Sequence, residues 1–224
     1  MSDRFPPRLA AGYRDFLARD FTALGPRYRQ LAEDGQQPEV MVVGCVDSRV
    51  SPEAIFGARP GEILVVRNVA NIVPAYEGGD ATQHGTSAAL EFGVMALGVK
   101  HIVVLGHARC GGIRAFANEA APLSPGDFIG RWMAQVAPAA AGLGPRGPDP
   151  ETWLHLLERA AVSLGVANLM TFPWIRSRVA AGSLALHGAW FDIASGQLLV
   201  RDSTTGSFTP LAPADAPLPR RPGG

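Results

Sequence analysis

Val40-Met41-Val42-Val43-Gly44-Cys45-Val46-Asp47-Ser48-Arg49 and, far along the chain, Ile102-Val103-Val104-Leu105-Gly106-His107-Ala108-Arg109-Cys110-Gly111-Gly112 decide how this chain folds. In each, a short β-branched apolar run gives way to a glycine and then to side chains that bind soft metals. Each therefore reads as a buried strand whose end carries chemistry. Side by side and parallel, the two would deliver Cys45, His107 and Cys110 to one carboxyl edge, where open α/β sheets place their ligands. Two thiolates and an imidazole are three of the four bonds that zinc takes, and three protein ligands with an open fourth position mark a catalytic zinc. The expectation is one Zn2+ per chain on Cys45, His107 and Cys110. His84, His101, His155 and His187 are scattered along the chain and are expected to ligate nothing.

Outward from these stretches, composition sets the bounds. With 224 residues, 47% of them hydrophobic and 18% charged, the chain can bury a substantial core and reads most simply as one domain, residues 1–209. Lys plus Arg equals Asp plus Glu at 20 each, so no global field draws it to nucleic acid or to an anionic membrane. The start shows no apolar signal core and no apolar run is long enough to span a bilayer, which points to the cytoplasm. There, two cysteines serve metal binding or thiol chemistry better than a disulfide.

In chain order, Tyr13, Phe16, Leu17, Phe21 and Leu24 recur at helical spacing and predict a helical arm over residues 1–34, two helices broken near Gly25-Pro26. Ser51-Pro52-Glu53 caps a short helix that Gly57 ends. Ile63 to Val66 is the next strand, Gly78-Gly79-Asp80 a loop, Thr82 to Leu97 a helix and His101 to Leu105 the third strand. Helices are expected over Gly112 to Glu119, around Phe128 to Val136, and in two pieces from Trp153 to Arg178. Leu184 to Asp192 and Gln197 to Arg201 form a C-terminal hairpin, and residues 210–224, rich in proline, an extended tail. The fold class is α/β: a mostly parallel central sheet flanked by helices, with an N-terminal helical arm and C-terminal edge strands.

Asp47 and Arg49 alternate with Cys45, so all three side chains can share one side of an extended stretch. A carboxylate two residues from a metal ligand is a fourth ligand or an acceptor beside the metal, and an arginine next to it holds it ionised. Taken together, Cys45-Val46-Asp47-Ser48-Arg49 and Gly106-His107-Ala108-Arg109-Cys110-Gly111-Gly112 resemble the paired signature of the β-class carbonic anhydrases. The likeness extends through Pro60-Gly61-Glu62, Val66-Arg67-Asn68-Val69-Ala70-Asn71, Asn168-Leu169-Met170-Thr171-Phe172-Pro173 and Leu186-His187-Gly188. Val46, where Ser or Ala is usual, and the large Arg109 depart from it.

The resemblance implies reversible hydration of carbon dioxide to bicarbonate and a proton, by zinc-held hydroxide that Asp47 and Arg49 orient as a catalytic dyad. It implies a dimer, or a multiple of dimers, with the site at the interface. Gln36 would reach the substrate, Leu64, Val69 and Phe92 would form an apolar wall, and Gly111 would offer its N–H to bicarbonate. One branch of the family has a second bicarbonate pocket made of a tryptophan, an arginine and a tyrosine. Here those positions hold Val42, Arg67 and Phe191, so a plant-like enzyme without that pocket is expected, with Trp190 pointing to the other face. The rival readings are a carbonyl sulfide or carbon disulfide hydrolase on the same zinc site, a non-catalytic zinc-stabilised dimer, and a Cys–His thiol enzyme.

Overall fold

A computed structural model describes residues 5–78 and 85–211. The chain divides into two compact units, one running to Gln36 and the other starting at Gln37. In the first, α1 (Pro7–Asp15), a π-helical turn (Phe16–Asp20) and α2 (Phe21–Asp34) follow one another with helical dihedrals at each junction. The expected break at Gly25-Pro26 does not occur, because Pro26 lies inside α2. Proline removes one ladder bond and crowds the preceding turn, but Tyr28 packs across it onto Phe16 and Phe21, at centroid distances of 6.0 and 5.5 Å. The irregularity sits upstream instead, where the Phe21 N–H reaches back to the Phe16 carbonyl. Gly35, at φ +79°, ends the arm.

The second unit is built on a six-stranded sheet of order β2-β1-β3-β4-β5-β6. β1 (Val40–Cys45), β2 (Ile63–Asn68), β3 (His101–His107) and β4 (Ala185–Phe191) run parallel, whereas β5 (Leu198–Arg201) and β6 (Phe208–Pro210) complete the sheet antiparallel. β1 is buried almost from end to end, as a central parallel strand covered on both faces must be. From β1 the chain crosses through α3 (Pro52–Ile55) to β2. It then returns through α4 (Gly85–Glu91) and a second π turn (Phe92–Ala96) to place β3 on the other side of β1. This reversal of direction is the kind of switch point that opens a crevice at the strands' carboxyl ends. Between β3 and β4 lie α5 (Gly111–Ala117), α6 (Phe128–Met133), α7 (Ala137–Ala141), α8 (Pro150–Leu169) and α9 (Pro173–Ala180).

The depth at which α8 sits matters most for the site. Its buried residues Leu154, Leu157, Glu158, Ala161, Val162, Gly165 and Leu169 recur at helical spacing along one stripe. Val162 seats over two glycines of the sheet: a Cβ at Gly106 would lie 2.5 Å from Val162 Cγ2, and one at Gly188 would lie 3.0 Å from Val162 Cγ1. From the helix side, Gly165 admits Val104 in the same way, with 3.2 Å from a built Cβ to its Cγ1. The missing side chains let helix and sheet approach closely, and one turn before Val162 the helix carries Glu158 into the interior.

Most sequence-level boundaries hold within a residue or two, and the departures have physical causes. β2 and β3 extend to Asn68 and His107, because their terminal polar residues find bonds within the sheet and the loops beside it. α5 begins at Gly111 rather than Gly112. β6 is an additional strand that takes in Pro210, the first residue of the expected tail, opposite Leu199. Gly79, Asp80, Thr82, His84 and the tail from residue 212 lie outside the described residues. Among the described residues no helix is long and apolar enough to cross a membrane.

Candidate metal centre

Cys45 is the last residue of β1, His107 the last of the adjacent β3, and Cys110 the residue that precedes α5. One ligand atom from each falls within 4.8 Å of the others, and all three residues are buried. His107 Nδ1 lies 2.9 Å from the Ala108 carbonyl. A proton on Nδ1 to make that bond leaves the Nε2 lone pair free, and Nε2 is buried without a hydrogen-bond partner. Asp47 Oδ2 is 4.0 Å from it. Ligands of a tetrahedral zinc, at bonds of about 2.0–2.3 Å, stand roughly 3.5–4 Å apart. Two sulfurs and an orphaned imidazole nitrogen within 4.8 Å of one another are close enough to converge on such an ion.

The charges point the same way. The two sulfurs share one proton's worth of charge between them: the Cys110 side chain, with help from His107 and the Asp47 N–H, lowers the Cys45 thiol's pKa against burial, while Cys45 and burial raise that of Cys110. A divalent cation would replace that shared proton and hold both sulfurs as thiolates. The Asp47 N–H lies 3.4 Å from Cys45 Sγ. Burial works against charging His107, but Cys45, the Ala108 carbonyl and Asp47 outweigh it and raise its pKa.

Asp47 and Arg49 form a fork. Arg49 Nε donates to Oδ1 at 2.9 Å and Nη2 to Oδ2 at 2.7 Å, and the Arg49 backbone N–H adds a bond to Oδ1 at 3.0 Å. The guanidinium holds the Asp47 carboxyl well below the usual carboxylate range. Arg49 Nη2 also donates to the Arg109 carbonyl at 3.2 Å, which ties the dyad to the His107–Cys110 loop. Arg109 itself adopts φ +58°, a left-handed conformation that is costly for a residue with a side chain.

The remaining sequence candidates are dispersed. Val69 lines an open groove of 630 Å³ with Thr86, Phe128 and Trp132, and its carbonyl accepts the Trp132 indole N–H at 2.8 Å. Leu64 packs against the core cluster around Met41 and Leu90, and Phe92 is 50% exposed on the second π turn, so neither joins Val69 in that groove. Gly111 opens α5 with its Cα face clear of other atoms. Gln36 is the last residue of the first unit, beyond the end of α2, and is exposed. Where a second anion pocket would sit, Val42 and Phe191 pack with Leu105 and Ala189 in an apolar cluster. Arg67 is committed to main chain, with Nε on the Cys45 carbonyl at 2.7 Å and Nη2 on those of Asp47 and Val50 at 2.7 and 3.1 Å.

Sequence reasoning missed two groups. Asn68 bonds both the N–H and the carbonyl of Ile72, at 2.8 Å each, and so closes the turn in which Ala70 and Asn71 take positive φ. Glu158 is 3% exposed and accepts the Cys110 N–H at 2.9 Å and the Trp190 indole N–H at 3.2 Å. Burial raises its pKa against those two bonds. The signal for Glu158 was a carboxylate on the apolar stripe, four residues from both Leu154 and Val162.

A sequence model of the family described as carbonic anhydrase matches residues 40–198. β-Carbonic anhydrase 5, chloroplastic, of Arabidopsis thaliana is 38% identical over 171 residues, which are 74% of this chain and 54% of that protein. β-Carbonic anhydrase 3 of the same plant is 36% identical over 195 residues, 84% of this chain and 74% of that protein. The chain thus spans about half the length of one relative and three quarters of the other. Among solved structures, the β-carbonic anhydrase CcaA superposes with a TM-score of 0.80 at 28% identity, over 92% of each chain.

Proposed function

The chain belongs to the β-class carbonic anhydrase family, and on that premise we propose that it interconverts carbon dioxide and bicarbonate at one zinc per chain, held by Cys45, His107 and Cys110. The observation that carries this reading is the buried, unpartnered His107 Nε2 beside two sulfurs and a carboxylate already fixed by an arginine. Bound there, zinc supplies a Lewis acid that makes water nucleophilic near neutral pH.

The protein's own groups do the rest. Asp47, kept ionised by Arg49, is an acceptor for the attacking water's O–H and so turns a lone pair toward the carbon of the substrate. Because Arg49 occupies both carboxylate oxygens, it also keeps Asp47 in that role and away from the metal. Gly111 presents a backbone N–H at an open surface for the product's oxygens, and Val69 contributes to an apolar wall suited to a substrate without a net dipole. Leu64, Phe92 and Gln36 complete the pocket in an assembly of two chains or a multiple of two. The exposed Phe92 and Met95 are the kind of apolar surface a second copy would cover. With Val42 and Phe191 packed and Arg67 committed, bicarbonate acts only as a competing product. Two free cysteines used as metal ligands suit the cytoplasm.

Stopped-flow CO₂ hydration on metal-analysed protein tests the reading. About one zinc per chain with hydration that chelation abolishes is the expected outcome. Zinc-loaded protein without hydration would sink the substrate assignment, and activity that survives chelation would favour a Cys–His thiol enzyme.

A further inference from the structure

The Arg109–Cys110 peptide link is held from both ends. Its carbonyl, that of Arg109, accepts Arg49 Nη2 at 3.2 Å, and its N–H, that of Cys110, donates to Glu158 Oε1 at 2.9 Å. One planar unit thus stands between the residue that fixes Asp47 and the backbone of a proposed metal ligand. Because the peptide is rigid, turning it to break one bond breaks the other. Glu158 does not swing freely: its second oxygen accepts the Trp190 indole N–H, and that indole lies under the Arg159 guanidinium at 5.5 Å and beside the His155 ring at 5.5 Å. Three residues of α8 therefore grip Trp190, and Val162, one turn on, fixes the helix's distance from the sheet through Gly106 and Gly188.

Resting on the reading of Cys45, His107 and Cys110 as the metal centre, we infer that Glu158 is a positioning residue of that centre: it aligns the Arg109–Cys110 peptide so that Cys110 faces the metal and the Arg109 carbonyl holds Arg49 on Asp47. A structural role alone would need only some acceptor for one buried N–H. The carboxylate instead takes an N–H on each oxygen, which an amide cannot do, because whichever way an amide is turned its NH₂ faces one of the two donors.

The test uses the full-length protein loaded with zinc, and separately with Co2+, whose thiolate charge-transfer absorption reports the ligand geometry. Zinc release to excess chelator is timed for wild type, Glu158→Gln, and Ile175→Val, a core substitution on α9 that lowers stability away from the site. Glu158→Gln should release zinc about 10–100-fold faster, the usual effect of losing a residue that orients a metal ligand, and should shift the cobalt spectrum. Ile175→Val should match wild type in both. Release from Glu158→Gln at the wild-type rate with an unchanged spectrum overturns the inference. If that variant does not fold, Trp190→Phe, which frees only the second oxygen, decides: faster release supports the inference, and wild-type release overturns it. A wild-type chain that binds no zinc would instead overturn the metal centre itself, a separate failure.

Discussion

Asp47 and Glu158 are two carboxylates that reach the same peptide link, one through Arg49 and one directly, yet their surroundings drive them in opposite directions. Asp47 lies just beyond β1, partly exposed, with a guanidinium on both oxygens, and its proton affinity is depressed. Glu158 lies inside with only neutral N–H donors, and burial raises its proton affinity. A cation makes a carboxylate a dependable acceptor at any ordinary pH, whereas neutral donors fix its position without stabilising its charge as strongly. The first arrangement suits a group that meets substrate, the second a group that holds others in place.

The largest expected effect removes what both carboxylates serve. Cys45→Ala should reduce zinc from about one per chain to none and abolish CO₂ hydration; a variant that hydrates at the parental rate would remove Cys45 from the centre. Next comes Asp47→Asn, which should keep its zinc and lose roughly 10–100-fold in hydration rate, as Arg49→Ala should for want of the residue that holds Asp47. Full activity in either would make the exposed fork an ordinary surface pair.

A smaller effect separates the two carboxylates by pH. Asp47, depressed from 3.8, contributes stability that is fully present above that value and is lost as pH falls toward its folded pKa. Glu158, raised from 4.5, works in reverse: the folded chain holds the proton longer, so stability falls as pH climbs from 4.5 through the raised value and then levels off. Denaturant midpoints measured across pH should show the gap between wild type and Asp47→Asn narrowing only in strong acid. Glu158→Gln should lack the fall that wild type shows above 4.5. A gap for Asp47→Asn that already closes near neutrality would mean that Arg49 does not hold the carboxylate in solution.

The smallest expected effect is none. Hydration should rise smoothly with pH and bicarbonate should inhibit only as a competing product, because Val42 and Phe191 are packed and Arg67 is bound to three carbonyls. Cooperative inhibition by bicarbonate in steady-state kinetics would show that a second anion site forms after all.

The same contrast explains what could be read in the sequence. Cys45, Asp47, Arg49, His107 and Cys110 were legible because they directly follow apolar strand runs, so local pattern alone brings them to one edge. Glu158 was not, because it reaches Cys110 only through the depth of α8, and that depth depends on Gly106 and Gly188 in two different strands. The uninterrupted α2 was missed because ring packing across Pro26 is a tertiary effect that overrides a local breaker. Strand β6 was missed because three residues ending in proline carry almost no strand signal.

That brevity has a use of its own. A sheet that ends in a long, flat, apolar strand invites other chains to dock along it and grow into fibrils. Here the last strand offers three residues, one of them Pro210, which has no N–H to give, after two antiparallel turns have carried the edge away from the parallel core. At this edge the sheet therefore offers another chain little backbone to extend from.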